Sequence, residues 1–265
     1  MNYVLLVATL FTQGGTDWIS FSLLEGFPVT FSNNLCGINT SGTQELMATD
    51  PVCDSIFFID TSTGTLNSTL PITPGCANAY GICTAEYQGT PYYFCNDTSS
   101  TSTTYLWRYE FGPWAYGPNP ASGQGRGMDY NFNDEYLWQA SVESSNSLVR
   151  CRTDGSSSWT YTISEIDGEI SGVCTFPFEG ETGLLITGKT DDQFHLYKSV
   201  LGVLIYQGSG TVPDTSADVS LDLTGNGYTF WWCYRKQNIQ YLAKIEMEIT
   251  QNLEAQTWAA IKAAL

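Results

Sequence analysis

The sequence predicts an all-β protein, a five-bladed β-propeller, on three observations. A short start of small residues recurs about every 45 residues along the chain. Each start leads through a turn into aromatic and β-branched runs bounded by Gly, Asn, Asp and Pro, which is the composition of strands. The last copy lacks a fourth strand, and the beginning of the chain offers one.

The earliest and weakest copy opens at Cys36-Gly37-Ile38. The second opens at Gly81-Ile82-Cys83, turns at Gln88 to Pro91, and continues through Tyr92 to Cys95 and Tyr105 to Glu110. The third opens at Arg126-Gly127-Met128 and carries Tyr136 to Trp138, Leu148 to Cys151 and Ser158 to Ile163. The fourth opens at Ser171-Gly172-Val173-Cys174, with Leu184 to Ile186, Phe194 to Tyr197 and Val203 to Tyr206 behind it. The fifth opens at Ala217-Asp218-Val219 and carries Tyr228 to Trp232 and Ile239 to Ile245. Small residues suit a crowded central axis. Large ones suit middle strands, where blade packs on blade. Trp18 to Leu24 alternates at period two, so residues 17–26 are expected to close the last blade and remove two free edges. A sixth blade stays open only within the first copy. In layout, residues 17–249 resemble known five-bladed propellers, without a WD dipeptide or a kelch pattern.

The ends differ from this body, giving three parts: an apolar extension (1–16), the propeller (17–249) and a C-terminal helix (250–265). Tyr3, Val4, Leu5, Leu6, Val7, Leu10 and Phe11 make up the most apolar run, far too short for a transmembrane helix. Two readings stand. It is the apolar core of a signal peptide, although no Lys or Arg precedes it, or it is a retained segment that another copy covers by strand addition. Residues 252–265 are strong helix formers, with Leu253, Trp258, Ile261 and Leu265 near one face. That helix either docks on the propeller or joins subunits.

Formal net charge is −17, with only ten Lys plus Arg, which excludes generic affinity for nucleic acid or anionic membrane. Charged residues are 14% of the chain, so Ser, Thr, Asn and Gln must cover the surface. That balance suits a secreted or cell-surface protein. Eight cysteines (Cys36, Cys53, Cys76, Cys83, Cys95, Cys151, Cys174 and Cys233) show no CxxC pair, and the single histidine, His195, offers no ligand partner. Disulfides are favoured over free buried thiols, with Cys83–Cys95 and Cys151–Cys174 as neighbour-strand candidates. Asn39, Asn67 and Asn96 head N-x-S/T sequons.

The likeness to five-bladed propellers brings glycoside hydrolases into view, since several share that layout. These need two carboxylates facing each other at the axis. Candidates are Glu86, Asp129, Asp222 and the Glu179/Glu181 pair. Glu179 and Glu181 fall in a turn, where acids are ordinary solvated residues. Asp129 and Asp222 sit on inner strands in registers about two residues apart, and the reading fails if they do not converge. His195 reads as a packing residue. Gly123-x-Gly125-x-Gly127 reads as an inter-blade connection rather than a phosphate loop, and Asp222 to Gly227 as a hairpin turn rather than a calcium loop. No motif asks for a cofactor or a metal. Trp114 and Tyr116, in a Gly/Pro-rich loop, are the best candidates to contact a ligand.

The function expected from the sequence is a non-enzymatic extracellular structural or interaction protein. Its chief partner is another copy of itself, held through residues 3–11 and 252–265. A carbohydrate-binding propeller and a glycoside hydrolase are the alternatives.

Overall fold

The computed structural model describes residues 19–250, apart from 43, 73–75, 77, 98–104, 111, 122–123, 143–144, 215 and 226. Twenty strands fall into five four-stranded antiparallel sheets, arranged as blades around one axis. Blade 1 comprises β2 (Ile38–Gly42), β3 (Glu45–Asp50), β4 (Ser55–Asp60) and β5 (Leu66–Pro71). Blade 2 comprises β6 (Ala79–Tyr87), β7 (Thr90–Asp97), β8 (Tyr105–Tyr109) and β9 (Trp114–Pro118). Blade 3 comprises β10 (Gln124–Asn131), β11 (Tyr136–Val142), β12 (Asn146–Cys151) and β13 (Trp159–Thr162). Blade 4 comprises β14 (Ile170–Phe178), β15 (Glu181–Gly188), β16 (Gln193–Val200) and β17 (Val203–Thr211). Blade 5 comprises β18 (Ser216–Leu221), β19 (Thr229–Lys236), β20 (Ile239–Ile249) and, from the start of the chain, β1 (Ile19–Pro28).

β1 pairs antiparallel with β20, Ile19 opposite Ile249 and Pro28 opposite Tyr241. The first and last described strands are thus joined in one sheet, and the ring closes by hydrogen bonds rather than by side-chain contact alone. The inner strands β2, β6, β10, β14 and β18 touch one another in sequence all the way round. Their recurrent small residues allow this. A Cβ on Gly172 would overlap the Asp218 carboxylate and lie 2.7 Å from Asp218 Cα. One on Gly127 would lie 2.7 Å from Gly172 Cα. Register shifts near the start of β6, β10, β14 and β18 let these strands bend toward the axis.

The core is divided between blades. Phe176, Phe194, Phe230 and Trp232 fill the space between blades 4 and 5, with the Phe176 and Phe230 rings 5.1 Å apart at 77°. Met47, Ile56, Phe58, Ile82 and Trp107 fill that between blades 1 and 2. Most of these are the large middle-strand residues expected to pack there, whereas Phe176 and Ile82 come from the inner strands β14 and β6.

Two expectations are corrected. The fold class holds as an all-β five-bladed propeller but without a helix: the described residues contain none, and the segment 252–265 lies outside them. The apolar residues 3–11 likewise lie outside the described residues. Gly125 and Gly127 do not form an inter-blade connection but belong to the inner strand β10, where close approach at the axis requires them.

Candidate functional site at the propeller axis

One end of the axis opens into a cavity of about 320 Å³. Every inner strand sends polar side chains to it: Asn39, Thr40 and Ser41 from β2, Thr84 from β6, Asp129 and Asn131 from β10, Thr175 from β14 and Ser220 from β18. Tyr130, Phe132, Phe176, Pro177, Leu221 and Leu223 add aromatic and aliphatic lining.

Asp129 ties this ring together across the axis. Its Oδ1 accepts from Asn39 Nδ2 at 3.0 Å and from the Tyr130 amide at 2.9 Å. Its Oδ2 accepts from the Thr175 amide at 2.7 Å and the Thr175 hydroxyl at 2.9 Å. Asn39 Oδ1 in turn accepts from the Thr84 amide at 3.2 Å, and Ser220 Oγ accepts from the Thr40 amide at 2.9 Å. Burial pushes the Asp129 carboxyl above the ordinary carboxylate range, and the donors from Thr175, Tyr130 and Asn39 only partly offset it. Thr84 Oγ1 is buried and has no hydrogen-bond partner. It is the one hydroxyl of the ring without a partner.

One layer deeper lies Asp218. Its Oδ2 accepts from the Ile38 amide at 3.0 Å and its Oδ1 from its neighbour Val219 at 2.9 Å. It occupies the space that Gly127 and Gly172 leave open. Inner-strand amides that would otherwise point at an empty axis therefore find an acceptor. Burial raises this carboxyl well above its ordinary value, and the Asp129 charge adds to the effect. Beyond it, Arg126 pairs with Glu169 at 3.3 Å, with its guanidinium 5.2 Å from the Tyr80 ring centroid.

The sequence candidates scatter by comparison. Asp129 and Asp222 do not converge: Asp222 follows the end of β18 and pairs with Lys244 Nζ at 2.8 Å. Burial alone would raise the Asp222 carboxyl, but Lys244 and Thr224 hold it below the ordinary value. The second axial acid is Asp218, which sequence reasoning used as a repeat marker but did not weigh as a functional acid. The signal was present in the alignment of the repeats, since Asp218 stands where the four other copies have glycine: Gly37, Gly81, Gly127 and Gly172. Glu86 is exposed beside a separate cleft with Tyr87, Glu135 and Arg152. Glu179 and Glu181 lie at the turn into β15, with Glu179 paired to Lys198 at 2.9 Å. His195 is buried on β16, its Nε2 2.8 Å from Asp191 Oδ2. Trp114 and Tyr116 lie on β9, the outer strand of blade 2, and belong to its aromatic edge. They do not line the axial cavity.

All eight cysteines are free thiols in this structure, and the two expected pairings, Cys83–Cys95 and Cys151–Cys174, are corrected. Cys83 stands opposite Phe94, one residue out of register with Cys95, and the two thiols enter different inter-blade cores. Cys151 and Cys174 also belong to different cores. Two sequons are closed by burial: Asn39 sits in the axial ring, and Asn96 Nδ2 donates to the Arg126 carbonyl at 2.9 Å. Asn67 is exposed on β5. Among the described residues no group of three or more His, Cys, Asp and Glu is placed to hold a metal ion.

No protein-family model matches the chain, and no curated protein matches it in sequence. Its likeness is to solved propeller structures. Glutaminyl cyclase of Myxococcus xanthus superposes with a TM-score of 0.61 at 10% identity, over 88% of this chain and 98% of that one. The PQQ-bound aldose sugar dehydrogenase of Streptomyces coelicolor gives 0.55 at 12%, over 87% and 98%. A gluconolactonase of Xanthomonas campestris gives 0.53 at 12%, over 80% and 72%. Identities this low speak for a shared fold alone. They do correct the expectation of a chain without enzymatic activity. The three propellers just named are enzymes, so neither the fold nor the missing Asp129–Asp222 pair excludes catalysis.

Proposed function

We propose that the axial mouth binds one small hydroxylated ligand of the carbohydrate class. The observation that carries this is the polar floor to which all five blades contribute, with the Thr84 hydroxyl unpartnered, beneath the Tyr130 and Phe176 rings. Hydroxyl groups on one side and an apolar ring face on the other are what a sugar presents. A cavity of about 320 Å³ falls at the small end of ligand pockets, roughly 300–1,000 Å³. Sugar chemistry in the names of two solved propellers supports the same class. Asp129 is the carboxyl lining this cavity, and burial raises it above the ordinary carboxylate range.

Calorimetric titration against a panel of neutral monosaccharides and sugar lactones tests the reading. Binding of at least one member is expected, weakened about tenfold by Thr84→Val through loss of one hydrogen bond. Asp129→Asn should retain binding and lose any turnover of the bound compound. A panel without a single binder overturns it.

A second reading is association of copies through the blade edges. It is favoured by one observation: every outer strand exposes apolar side chains, among them Leu66, Tyr116, Trp159, Val203 and Leu23. Sedimentation over a concentration series would show oligomers that Leu23→Lys and Val203→Lys disperse. A monomer at all concentrations would sink it.

A further inference from the structure

Of the eight thiols, two meet. Cys76 Sγ lies 3.8 Å from Cys95 Sγ, and both residues are fully buried. Among the described residues no other two cysteines bring their sulfurs into contact. Cys76 stands in the connection between β5 and β6, and Cys95 on β7, opposite Ile82 on one side and Trp107 on the other. Met47, Ile56, Phe58, Ile72 and Ala79 surround the pair. The two sulfurs thus join the crossing segment between blades 1 and 2 to the middle strand of the blade it leads into.

We propose that Cys76 and Cys95 are the site of a disulfide, formed by exchange with a disulfide-bearing oxidant such as oxidised glutathione. One cysteine, as thiolate, attacks a sulfur of the oxidant. A mixed disulfide forms and one glutathione leaves as thiolate. The second cysteine, as thiolate, then attacks the first cysteine's sulfur. The Cys76–Cys95 bond forms and the second glutathione leaves. Two electrons pass from the cysteines to the oxidant, and the two cysteine protons end on the two released glutathiones.

The packing sets the timing. Neither thiol is open to solvent in the folded ring, so exchange belongs to folding, before blades 1 and 2 close on each other. In folded protein that is still reduced, the hydrogen bond to Cys95, together with burial, holds the Cys76 thiol protonated, which slows later exchange. The bond closes a short loop, since the partners are 19 residues apart in sequence. It should favour the folded over the unfolded chain by roughly a hundredfold. It also pins the segment that carries the chain from the outer edge of blade 1 back to the axis.

The test uses the full chain, refolded with a mixture of reduced and oxidised glutathione, then unfolded, alkylated and digested. The expected result is one cross-linked peptide pair, two hydrogens lighter than its free parts, joining Cys76 to Cys95, with the remaining six cysteines alkylated. Oxidised protein should unfold at higher denaturant concentration than the same protein in dithiothreitol. Cys76→Ala and Cys95→Ala should each abolish that difference. Eight alkylated cysteines in correctly refolded protein, or a bond joining other cysteines, would overturn the proposal. The mapping needs no variant, so a variant that fails to fold does not shelter the idea.

Discussion

The inner and the outer strands of this ring belong to the same sheets yet obey opposite rules. On β14 all but one residue is buried, and polar groups there are paired or aimed at the axial cavity. On β13 and β5 no residue is fully buried, and hydrophobic side chains stand in solvent. A change at the axis must therefore displace backbone or strand a buried donor, whereas a change at the rim meets water. The comparison teaches where sequence is constrained in a propeller: at the few positions where neighbouring backbones touch.

The sharpest way to break the contrast is Gly172→Ala. Its methyl would collide with the Asp218 carboxylate and backbone, and a loss of about 3 kcal/mol or more is expected from overpacking. Gly89→Ala, in a turn with open space around it and φ at 75°, should cost only about 1 kcal/mol of backbone strain. Urea unfolding of the two variants side by side checks both. Equal losses would mean that the axis is not close-packed.

Next comes Asp218→Ala, which removes the acceptor for the Ile38 and Val219 amides. A loss of about 2 kcal/mol is expected from buried donors left unpaired, and hydrogen exchange at those two amides should speed up. Unchanged exchange would show that Asp218 is not their acceptor.

A pH series sharpens the point. A raised folded pKa means that the folded state keeps the Asp218 proton longer than the unfolded chain does. The stability from this group is therefore present at low pH and lost as pH rises above the ordinary 3.8. Measured against Asp218→Asn, wild type should lose its advantage with rising pH, by at most about 1.4 kcal/mol per pH unit. Asp222 should behave in the opposite sense. Lys244 lowers its pKa, so its contribution is present above 3.8 and fades as pH falls. A flat difference for Asp218 would mean that folding does not shift its carboxyl.

The smallest effect is expected at the rim. Leu201, 98% exposed, should tolerate Leu201→Ser within about 0.5 kcal/mol. A larger loss of stability would place it in a contact that the single chain does not show.

What the chain alone determined is the periodic part. Strand composition, turn residues and small inner-strand starts repeat, and each reports a local steric need. The alternation of residues 18–24 disclosed the closing strand β1, because one face of an outer strand must meet its neighbour. Which acids reach the axis was not legible by counting along the strands. Register shifts at the start of four inner strands break the period of two, and β18 ends before Asp222, which turns to Lys244 instead. Only the closed ring decided that Asp129 is tied to Asn39 and Thr175, two residues far from it in sequence. Only the packing of blades 1 and 2 brought Cys76 to Cys95, and only that of blades 2 and 3 buried Asn96. Local chemistry fixes elements within a few residues, whereas contacts across the ring depend on how five separately formed sheets are rotated against one another.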